Sequence, residues 1–161
     1  MSELTTLAAS LGTLLKERKE TIAVAESSAG GLISAALLAV PGASAYFLGG
    51  GVIYTRAARR ALLRVEDESV TSIRSSTEAY ALLKAQTIRE LLGATWGLAE
   101  TGAAGPTGNR YGDRAGHACF AVAGPVERAM TLETRHGDRE KNMWAFAKAA
   151  LDLLETSLRA R

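Results

Sequence analysis

Hydrophobic positions along the chain change period several times, and each change marks a predicted element of secondary structure. Leucines and alanines recur at helical spacing over residues 4–15, which predicts an opening amphipathic helix. Residues 21–25 are short, apolar and partly β-branched, as is typical of a strand buried on both faces. Residues 32–40 are apolar almost all round and predict a buried helix. Residues 46–55 predict a strand that contains three consecutive glycines, and residues 56–63 predict a short helix.

The second half of the chain shows the same alternation of periods. A long helix is predicted to start at Ser75, with Glu78 completing a capping box, and to end at Gly93 in a C-terminal cap. Asp138 is predicted to cap a last helix with a regular apolar face. Strands are predicted at residues 96–100, 117–123 and 129–134, with a glycine-rich loop after the first and a hairpin turn at residues 124–128.

This order of elements predicts the fold class. Strands that alternate with helices imply a mostly parallel sheet covered on both faces, and the final hairpin adds antiparallel pairing. We therefore predict a three-layer α/β/α fold with a mostly parallel mixed sheet of about five strands. The chain has 161 residues and no linker or low-complexity stretch, so residues 1–161 are expected to form a single domain.

Composition and charge narrow the classes of partner. The formal net charge is only +2, and the basic residues are scattered without interleaved aromatic side chains, so no nucleic-acid partner is expected. The first residues contain no long apolar run, so neither a membrane span nor a signal peptide is expected and a cytoplasmic location is predicted. Cys119 is the only cysteine; it lies in a predicted buried strand and is interpreted as a core residue.

Two predicted strand ends carry related residues. Glu26 and Ser27 follow the first strand, and Glu100 and Thr101 follow a later one, each pair leading into glycine-rich backbone. Because ligands bind at the carboxyl ends of strands in open α/β sheets, we expect both segments to line one pocket. A metal held by the two glutamates is not expected, since no histidine lies at ligand spacing.

The segment after the first strand supplies parts of an acyl-transfer site. Ser27 offers a nucleophilic hydroxyl, and the amides of residues 28–31, at a helix N-terminus, could bind an oxyanion or a substrate phosphate. The same residues fit a plain helix start, with Ser27 or Ser28 as N-cap and the glycines allowing tight packing. The segment alone does not decide between these interpretations.

Several short segments together resemble the C-terminal domain of the CinA (competence/damage-inducible protein) family, whose stand-alone members include PncC-type nicotinamide-nucleotide amidases. Their order and spacing agree with the family pattern over nearly the whole chain. The matching segments are Ala25-Glu26-Ser27, Gly30-Gly31-Leu32, Val40-Pro41-Gly42-Ala43-Ser44, Gly50, Tyr54, Thr101-Gly102-Ala103-Ala104-Gly105-Pro106 and Gly137-Asp138-Arg139.

The resemblance implies hydrolysis of the carboxamide of nicotinamide mononucleotide to nicotinate mononucleotide and ammonia, without a cofactor. In family members a serine acts as nucleophile, assisted by a lysine and a tyrosine; by position, the serine is Ser27 and the tyrosine is Tyr54. The lysine position holds Arg59. A guanidinium has a pKa above about 12 and no acceptor, so Arg59 cannot take the proton from Ser27.

Other groups are therefore candidates for activating Ser27. Glu26 and Glu100 are expected at neighbouring strand ends, where two close carboxylates would raise one pKa and suit acid–base work. Tyr54 is a second candidate, as a proton relay beside Arg59. Alternatively, Glu100 hydrogen-bonds amides of the glycine-rich loop, and Arg59 is a surface residue or an anion clamp.

The remaining candidates concern substrate binding. Arginine side chains could bind a phosphate or carboxylate through two hydrogen bonds each, and Arg56, Arg59 and Arg110 are candidates. Backbone exposed at the two strand ends and at the glycine run could approach a ligand closely. The predicted substrate-binding residues are Ser28, Ala29, Gly30, Gly31, Gly50, Thr101, Gly102, Gly105 and Arg110.

Three functions stay open at this point. The first is an amidohydrolase acting on nicotinamide mononucleotide. The second is a catalytically impaired nucleotide-binding protein on the same scaffold, as Arg59 suggests. The third is a hydrolase of a different small amide, with Glu100 as base. The resemblance also implies self-association, and a homodimer or higher homo-oligomer is expected.

Overall fold

The computed structural model describes residues 1–161, and its centre is a five-stranded sheet with the order β2-β1-β3-β4-β5. β1 pairs in parallel with β2 and β3, whereas β4 pairs antiparallel with β3 and β5. Every strand except β4 thus runs in the same direction, and the predicted mostly parallel mixed sheet is confirmed. The strands are β1 (Ile22–Glu26), β2 (Phe47–Val52), β3 (Trp96–Ala103), β4 (His117–Ala123) and β5 (Arg128–Glu133).

Helices cover both faces of this sheet, which confirms the three-layer α/β/α prediction. α1, α2 and α5 pack together on one face, and α4 lies on the other with α3 and the π-helical turn Arg59–Leu63 that follows it. None of these helices combines the length and apolarity needed to cross a bilayer. The helices are α1 (Ser2–Arg18), α2 (Leu32–Leu38), α3 (Arg56–Ala58), α4 (Glu78–Leu92) and α5 (Arg139–Arg159).

The alternation of side chains along β1 divides the interior into two cores. Ile22 and Val24 point into a core of 26 buried residues under α1, α2 and α5. Ala23 and Ala25 point the other way, into a core of 12 buried residues under α4. This parity decides which face each residue at the strand end can reach.

Two glycines allow close contacts that hold the sheet in place. A Cβ atom at Gly97 would lie 2.0 Å from the carbonyl oxygen of Ala85, so α4 sits directly against β3. A Cβ atom at Gly50 would lie 1.9 Å from the carbonyl oxygen of Val24. The absence of a side chain at Gly50 therefore lets β2, an edge strand, lie close to β1. Gly50 does not line the cleft at the ends of β1 and β3.

The start of α4 differs from the prediction. Ser76 has a φ of +60°, a left-handed conformation that cannot continue a helix from Ser75. Thr77 is the N-cap instead, and its side chain accepts a hydrogen bond from the amide of Tyr80. The capping box of Ser75 and Glu78 is therefore wrong, whereas Gly93 ends the helix as predicted, with a φ of 64°.

Two further boundaries can be compared with the sequence. Asp138 caps α5 as predicted, accepting a hydrogen bond from the amide of Lys141. β3 continues to Ala103, three residues beyond its predicted end, because β4 pairs with it as far as His117. Thr101 and Gly102 therefore belong to a strand and not to the glycine-rich loop.

Candidate functional site

A cleft of about 320 Å³ opens where β1 and β3 end, on the α4 side of the sheet. It brings together residues from both predicted strand ends, as the convergence argument expected, and adds side chains from α3, from the start of α4 and from the loop after β3. Its lining includes the predicted residues Ser27, Tyr54, Arg56, Arg59, Thr101, Gly102 and Arg110, and also Ser75, Ser76, Tyr80, Asn109 and Tyr111.

Ser27 occupies the floor of this cleft. It follows Glu26, the last residue of β1, so its side chain leaves on the face opposite to that of Glu26. The residue is half-buried, and its amide donates to the Glu100 carboxylate at 2.8 Å. The hydroxyl of Ser27 makes no hydrogen bond within the chain and is therefore available to a ligand.

The Glu100 carboxylate holds the Ser27 turn from behind. It is fully buried and accepts hydrogen bonds from the amides of Ser27 (2.8 Å) and Ala29 (2.9 Å) and from the Ser28 hydroxyl. The alternative interpretation, in which Glu100 binds backbone amides, is thus the correct one, although the amides belong to this turn and not to the glycine-rich loop. A carboxylate bonded in this way does not reach the Ser27 hydroxyl.

The Glu26 carboxylate caps α2. It accepts hydrogen bonds from the amides of Gly31 and Ile33, each at 3.0 Å, and of Ser34 at 2.8 Å. Burial raises the pKa of Glu26, and the charge of Glu100 adds to the increase, while hydrogen bonds from the Ser34 side chain and from the amides of Ser34 and Ile33 oppose it. The prediction that either glutamate deprotonates Ser27 is contradicted, because both side chains point toward α2.

The anion site predicted at residues 28–31 is contradicted for residues 29–31, whereas the amide of Ser28 makes no hydrogen bond within the chain. The amides of Ala29 and Gly31 are bonded to Glu100 and Glu26, and the amide of Gly30 donates to the Ser27 carbonyl at 3.0 Å. Of the four amides, only that of Ser28 is left without a hydrogen bond within the chain. The predicted binding residues Ser28, Ala29, Gly30 and Gly31 shape the turn and do not line the cleft.

Tyr54 stands at the cleft with 60% of its surface exposed. Its hydroxyl accepts a hydrogen bond from Arg139 at 3.1 Å, and the same guanidinium donates to the carbonyl of Gly105. The sequence analysis placed Tyr54 beside Arg59. In the structure the cation bonded to Tyr54 is Arg139 instead. Gly105 lies outside the cleft lining, and Arg139 was missed although it belongs to one of the matching segments.

Arg59 is buried in the π-helical turn and borders the cleft. Its Nε donates to the carbonyl of Val65 at 3.2 Å, and its Nη2 is paired with Asp67. The alternative of a solvated surface residue is therefore wrong. The guanidinium is a fixed positive charge at the position where the family pattern has lysine.

The cleft continues into a second, arginine-rich lobe of about 290 Å³. Arg56, Arg59 and Tyr111 belong to both lobes, and Arg74 lines the second. The guanidinium groups of Arg74 and Arg110 lie 5.0 and 5.2 Å from the centroid of the Tyr111 ring. Arg59 is paired with Asp67, which lines the same lobe, and Arg74 is paired with Asp113, whereas Arg56 makes no ion pair. The lobe thus offers an anionic ligand one unpaired guanidinium beside an aromatic ring.

Lys84 was missed by the sequence analysis. It is 1% exposed, and its Nζ donates to the backbone carbonyl of Glu100 at 2.8 Å. Burial lowers the pKa of Lys84 to about 8, against opposing charges of Glu100 and Glu26. A signal was present: Lys84 shares the buried face of α4 with Ala81, Ala85 and Ile88, a spacing that places a lysine in the core.

The wall of the cleft at Ser76 is held by groups from β4. The Ser76 amide donates to the Thr101 hydroxyl at 3.1 Å, and its carbonyl accepts from His117 Nε2 at 2.8 Å and from Cys119. Burial opposes protonation of His117, but hydrogen bonds to Glu133 and Ser76 outweigh it and raise the pKa of His117. Cys119 is buried as predicted, and burial raises the pKa of its thiol.

Comparison with known proteins gives a consistent family. Residues 4–158 match the model of the CinA C-terminal domain. A CinA-like protein of Salinibacter ruber is 40% identical over 147 residues, which cover 91% of this chain but only 36% of that relative. The chain thus spans about a third of the length of such relatives.

Solved structures agree over almost the whole chain. A competence-damaged protein (CinA) superfamily protein from Klebsiella pneumoniae superposes with a TM-score of 0.91 at 27% identity, covering 98% of this chain and 99% of that one. A competence/damage inducible protein from Agrobacterium tumefaciens gives a TM-score of 0.84 at 30% identity, covering 97% and 95%. The chain therefore belongs to the CinA C-terminal domain family.

Proposed function

We propose that this protein is an amidohydrolase that uses Ser27 as nucleophile and deamidates nicotinamide mononucleotide to nicotinate mononucleotide and ammonia. The observation that carries the proposal is the unbonded Ser27 hydroxyl on the floor of an arginine-lined cleft. Acyl transfer needs an accessible nucleophile together with a group that activates it, and the free Ser27 hydroxyl meets the first requirement. The family resemblance supplies the substrate.

The two lobes of the cleft divide the substrate between them in this proposal. The carboxamide lies over Ser27, and the phosphate lies among Arg56, Arg59 and Arg74. Tyr111 offers an aromatic face to the substrate between the lobes. Tyr54, fixed by Arg139, hydrogen-bonds the carboxamide at the mouth of the cleft.

The reaction proceeds through an acyl-enzyme and needs no cofactor. Ser27 Oγ attacks the carboxamide carbon and expels ammonia, and water then releases the carboxylate product from Ser27. We include in the proposal a cytoplasmic location and a homodimer or higher homo-oligomer, both implied by the resemblance. Light scattering of the purified protein tests the oligomeric state.

The decisive assay follows ammonia release from nicotinamide mononucleotide at high protein concentration. We expect turnover by the wild-type protein and none by Ser27→Ala, whose melting temperature should match because the Ser27 hydroxyl bonds nothing in the chain. Ser44→Ala is a matched control, since Ser44 is exposed in the turn before β2, at the opposite end of the sheet from the cleft. Equal ammonia release by wild type and Ser27→Ala would exclude this mechanism.

One observation favours a second candidate function, a nucleotide-binding protein without turnover. Arg59 stands where the family pattern has lysine, and its guanidinium is committed to Asp67 and Val65. This candidate predicts saturable calorimetric binding of nicotinamide mononucleotide with no ammonia. Arg59→Lys separates the two: gained activity indicates a disabled site, whereas lost activity assigns Arg59 its own role. Turnover confined to non-pyridine amides would indicate a different amide substrate.

A further inference from the structure

The buried amine of Lys84 has no structural partner that explains its presence. Its Nζ has three N–H donors but a single hydrogen bond, to the carbonyl of Glu100, and otherwise faces the ring of Tyr80 at 5.6 Å. The nearest carboxylates, of Glu26 and Glu100, are bonded to backbone amides and to the Ser28 hydroxyl. The ammonium is therefore buried without an ion pair.

Such a group is unfavourable for folding. A cation taken out of water loses its hydration, and one neutral carbonyl restores only a small part of it. Methionine would fill nearly the same volume without this cost. The presence of a lysine at this position therefore indicates a role in binding or in chemistry.

The register of the sheet places Lys84 and Ser27 on the same side of the sheet, near the ends of β1 and β3. Ala25 pairs with Ala99, so Ser27 and Thr101 lie two positions further along their neighbouring strands. Ala25 and Ala99 point into the core under α4, and by the same parity Ser27 and Thr101 point to that side. Lys84 approaches the carbonyl of Glu100, one position before Thr101, from α4 itself.

We infer that the Lys84 amine takes the proton from the Ser27 hydroxyl through one bridging water molecule. The inference rests on the proposed serine chemistry and gives it the base that Arg59 cannot supply. Arg59, which is paired with Asp67, then has no part in the proton transfer. Tyr80, one turn before Lys84 on α4, lines the cleft and separates the amine from bulk solvent.

The proton balance is complete with these groups and water. Neutral Lys84 accepts the Ser27 proton as Oγ bonds to the carboxamide carbon, and the resulting ammonium protonates the leaving nitrogen as the carbon–nitrogen bond breaks. Water then attacks the acyl carbon, giving a proton to Lys84, which returns it to Ser27 Oγ as the acid leaves. Amide and water become carboxylic acid and ammonia, and the enzyme is regenerated.

The electrostatic surroundings leave a minor fraction of the amine neutral near physiological pH. Burial lowers the pKa of Lys84 to about 8, while the carboxylates of Glu100 on β3 and Glu26 on β1 oppose the decrease. A base with a pKa in this range is both partly neutral and strong enough to accept a proton. The elements packed against α4 carry further titratable groups: Arg59 and Arg60 on the π-helical turn, His117 and Cys119 on β4, and Arg128 and Glu133 on β5. α4 itself carries Glu78, Tyr80, Arg89 and Glu90.

Labelling of Ser27 by phenylmethanesulfonyl fluoride tests the inference without the substrate. Serine oxygen displaces fluoride from sulfur, and intact-mass spectrometry measures the rate; Ser27→Ala defines the background. We expect Lys84→Met to slow labelling about 100-fold or more. Lys148→Met, on the exposed side of α5, is the matched control and should label like the wild type. Wild-type labelling rates in Lys84→Met, or no Ser27 labelling in the wild type, would overturn the inference.

The pH dependence adds a readout that a merely structural lysine would not change. The wild-type labelling rate should rise about tenfold per pH unit and level off above about pH 8. Lys84→Met should lack this plateau while melting at or above the wild-type temperature. If Lys84→Met does not fold, the wild-type profile decides alone: a plateau supports the inference, and a rate that keeps rising to pH 10 overturns it.

The two proposals fail separately. Ammonia release by Lys84→Met at the wild-type rate would remove Lys84 from the mechanism and leave the amidase proposal intact. If Ser27 labelling depends on Lys84 but no ammonia is released from nicotinamide mononucleotide, the proposed substrate is wrong. Lys84 would still be the base that activates Ser27.

Discussion

The two faces of the sheet differ in the size and polarity of the side chains buried against them. Under α1, α2 and α5 lie 26 buried apolar residues, including large rings such as Phe120 and Phe146, whose centroids are 6.2 Å apart. Under α4 lie only 12, mostly alanines, and the buried cations Lys84 and Arg59 are on this side, whereas the buried carboxylates of Glu26 and Glu100 point toward α2. One face therefore supplies most of the hydrophobic stabilisation, and the other gives up some of it to hold polar groups at the cleft.

The largest expected effect removes a ring from the apolar face. Phe146→Ala should lower the free energy of unfolding by about 3–5 kcal/mol, because it deletes buried surface and leaves a cavity beside Phe120. Activity per folded molecule should stay at the wild-type level. Chemical denaturation measures the first and ammonia release the second; a stable but inactive Phe146→Ala would contradict the division between the faces.

The next effect concerns stability at alkaline pH. The pKa of Lys84 is about 8 in the folded protein against an ordinary value of 10.5, so between these values the unfolded chain binds a proton that the folded chain does not. Stability of the wild type should rise with pH across this window by about 3 kcal/mol relative to Lys84→Met. Urea denaturation from about pH 7.5 to about pH 10.5 measures the difference, and parallel curves for the two proteins would show that the amine is not desolvated.

A weaker pH effect of opposite sign is expected at His117. Its pKa is raised in the folded protein, so its stabilising contribution is complete below about pH 6.5 and is lost as the pH rises through the folded-state value. His117→Gln should flatten this part of the stability curve while keeping a donor for the Ser76 carbonyl. The histidine titration followed by NMR gives the pKa directly, and a value below that of a free imidazole would refute the prediction.

The smallest effect compares two helix caps. Thr77→Ala and Asp138→Ala each remove an N-cap side chain and should each cost about 1 kcal/mol. Thr77 adjoins the strained Ser76 in the cleft wall, so its loss should also reduce turnover several-fold. Asp138→Ala is less informative for turnover because Arg139 follows it. Equal melting temperatures with unequal activity would support the link between Ser76 and the cleft.

Much of the fold follows from periodicity, because buried helices and strands repeat at 3.6 and 2 residues. The convergence of two strand ends was predictable for the same reason. The same parity also bears on the glutamates: Glu26 and Ser27 are consecutive and must point to opposite faces at a strand end. Strand parity alone therefore suffices to separate the Glu26 carboxylate from the Ser27 hydroxyl.

Other parts of the site depend on contacts between distant segments. α4 begins only at Glu78 because Ser76 has a left-handed backbone conformation. Nothing in the local sequence pattern favours a positive φ at a serine. Arg139 reaches Tyr54 across 85 positions of sequence, and Lys84 reaches Glu100 only because α4 lies against β3. These pairings are products of tertiary packing, which the periodicity of one segment does not contain.

The absence of a side chain at Gly97 determines how closely α4 can approach the sheet. The helix residue that packs against Gly97 is Ala85, which directly follows Lys84. Any larger residue at position 97 would push the helix outward and withdraw the amine from the strand ends. Evolution could therefore adjust the reactivity of Ser27 by a substitution in the core, leaving every residue of the cleft unchanged. A comparison of related proteins by their cleft residues alone would then miss a heritable difference in rate.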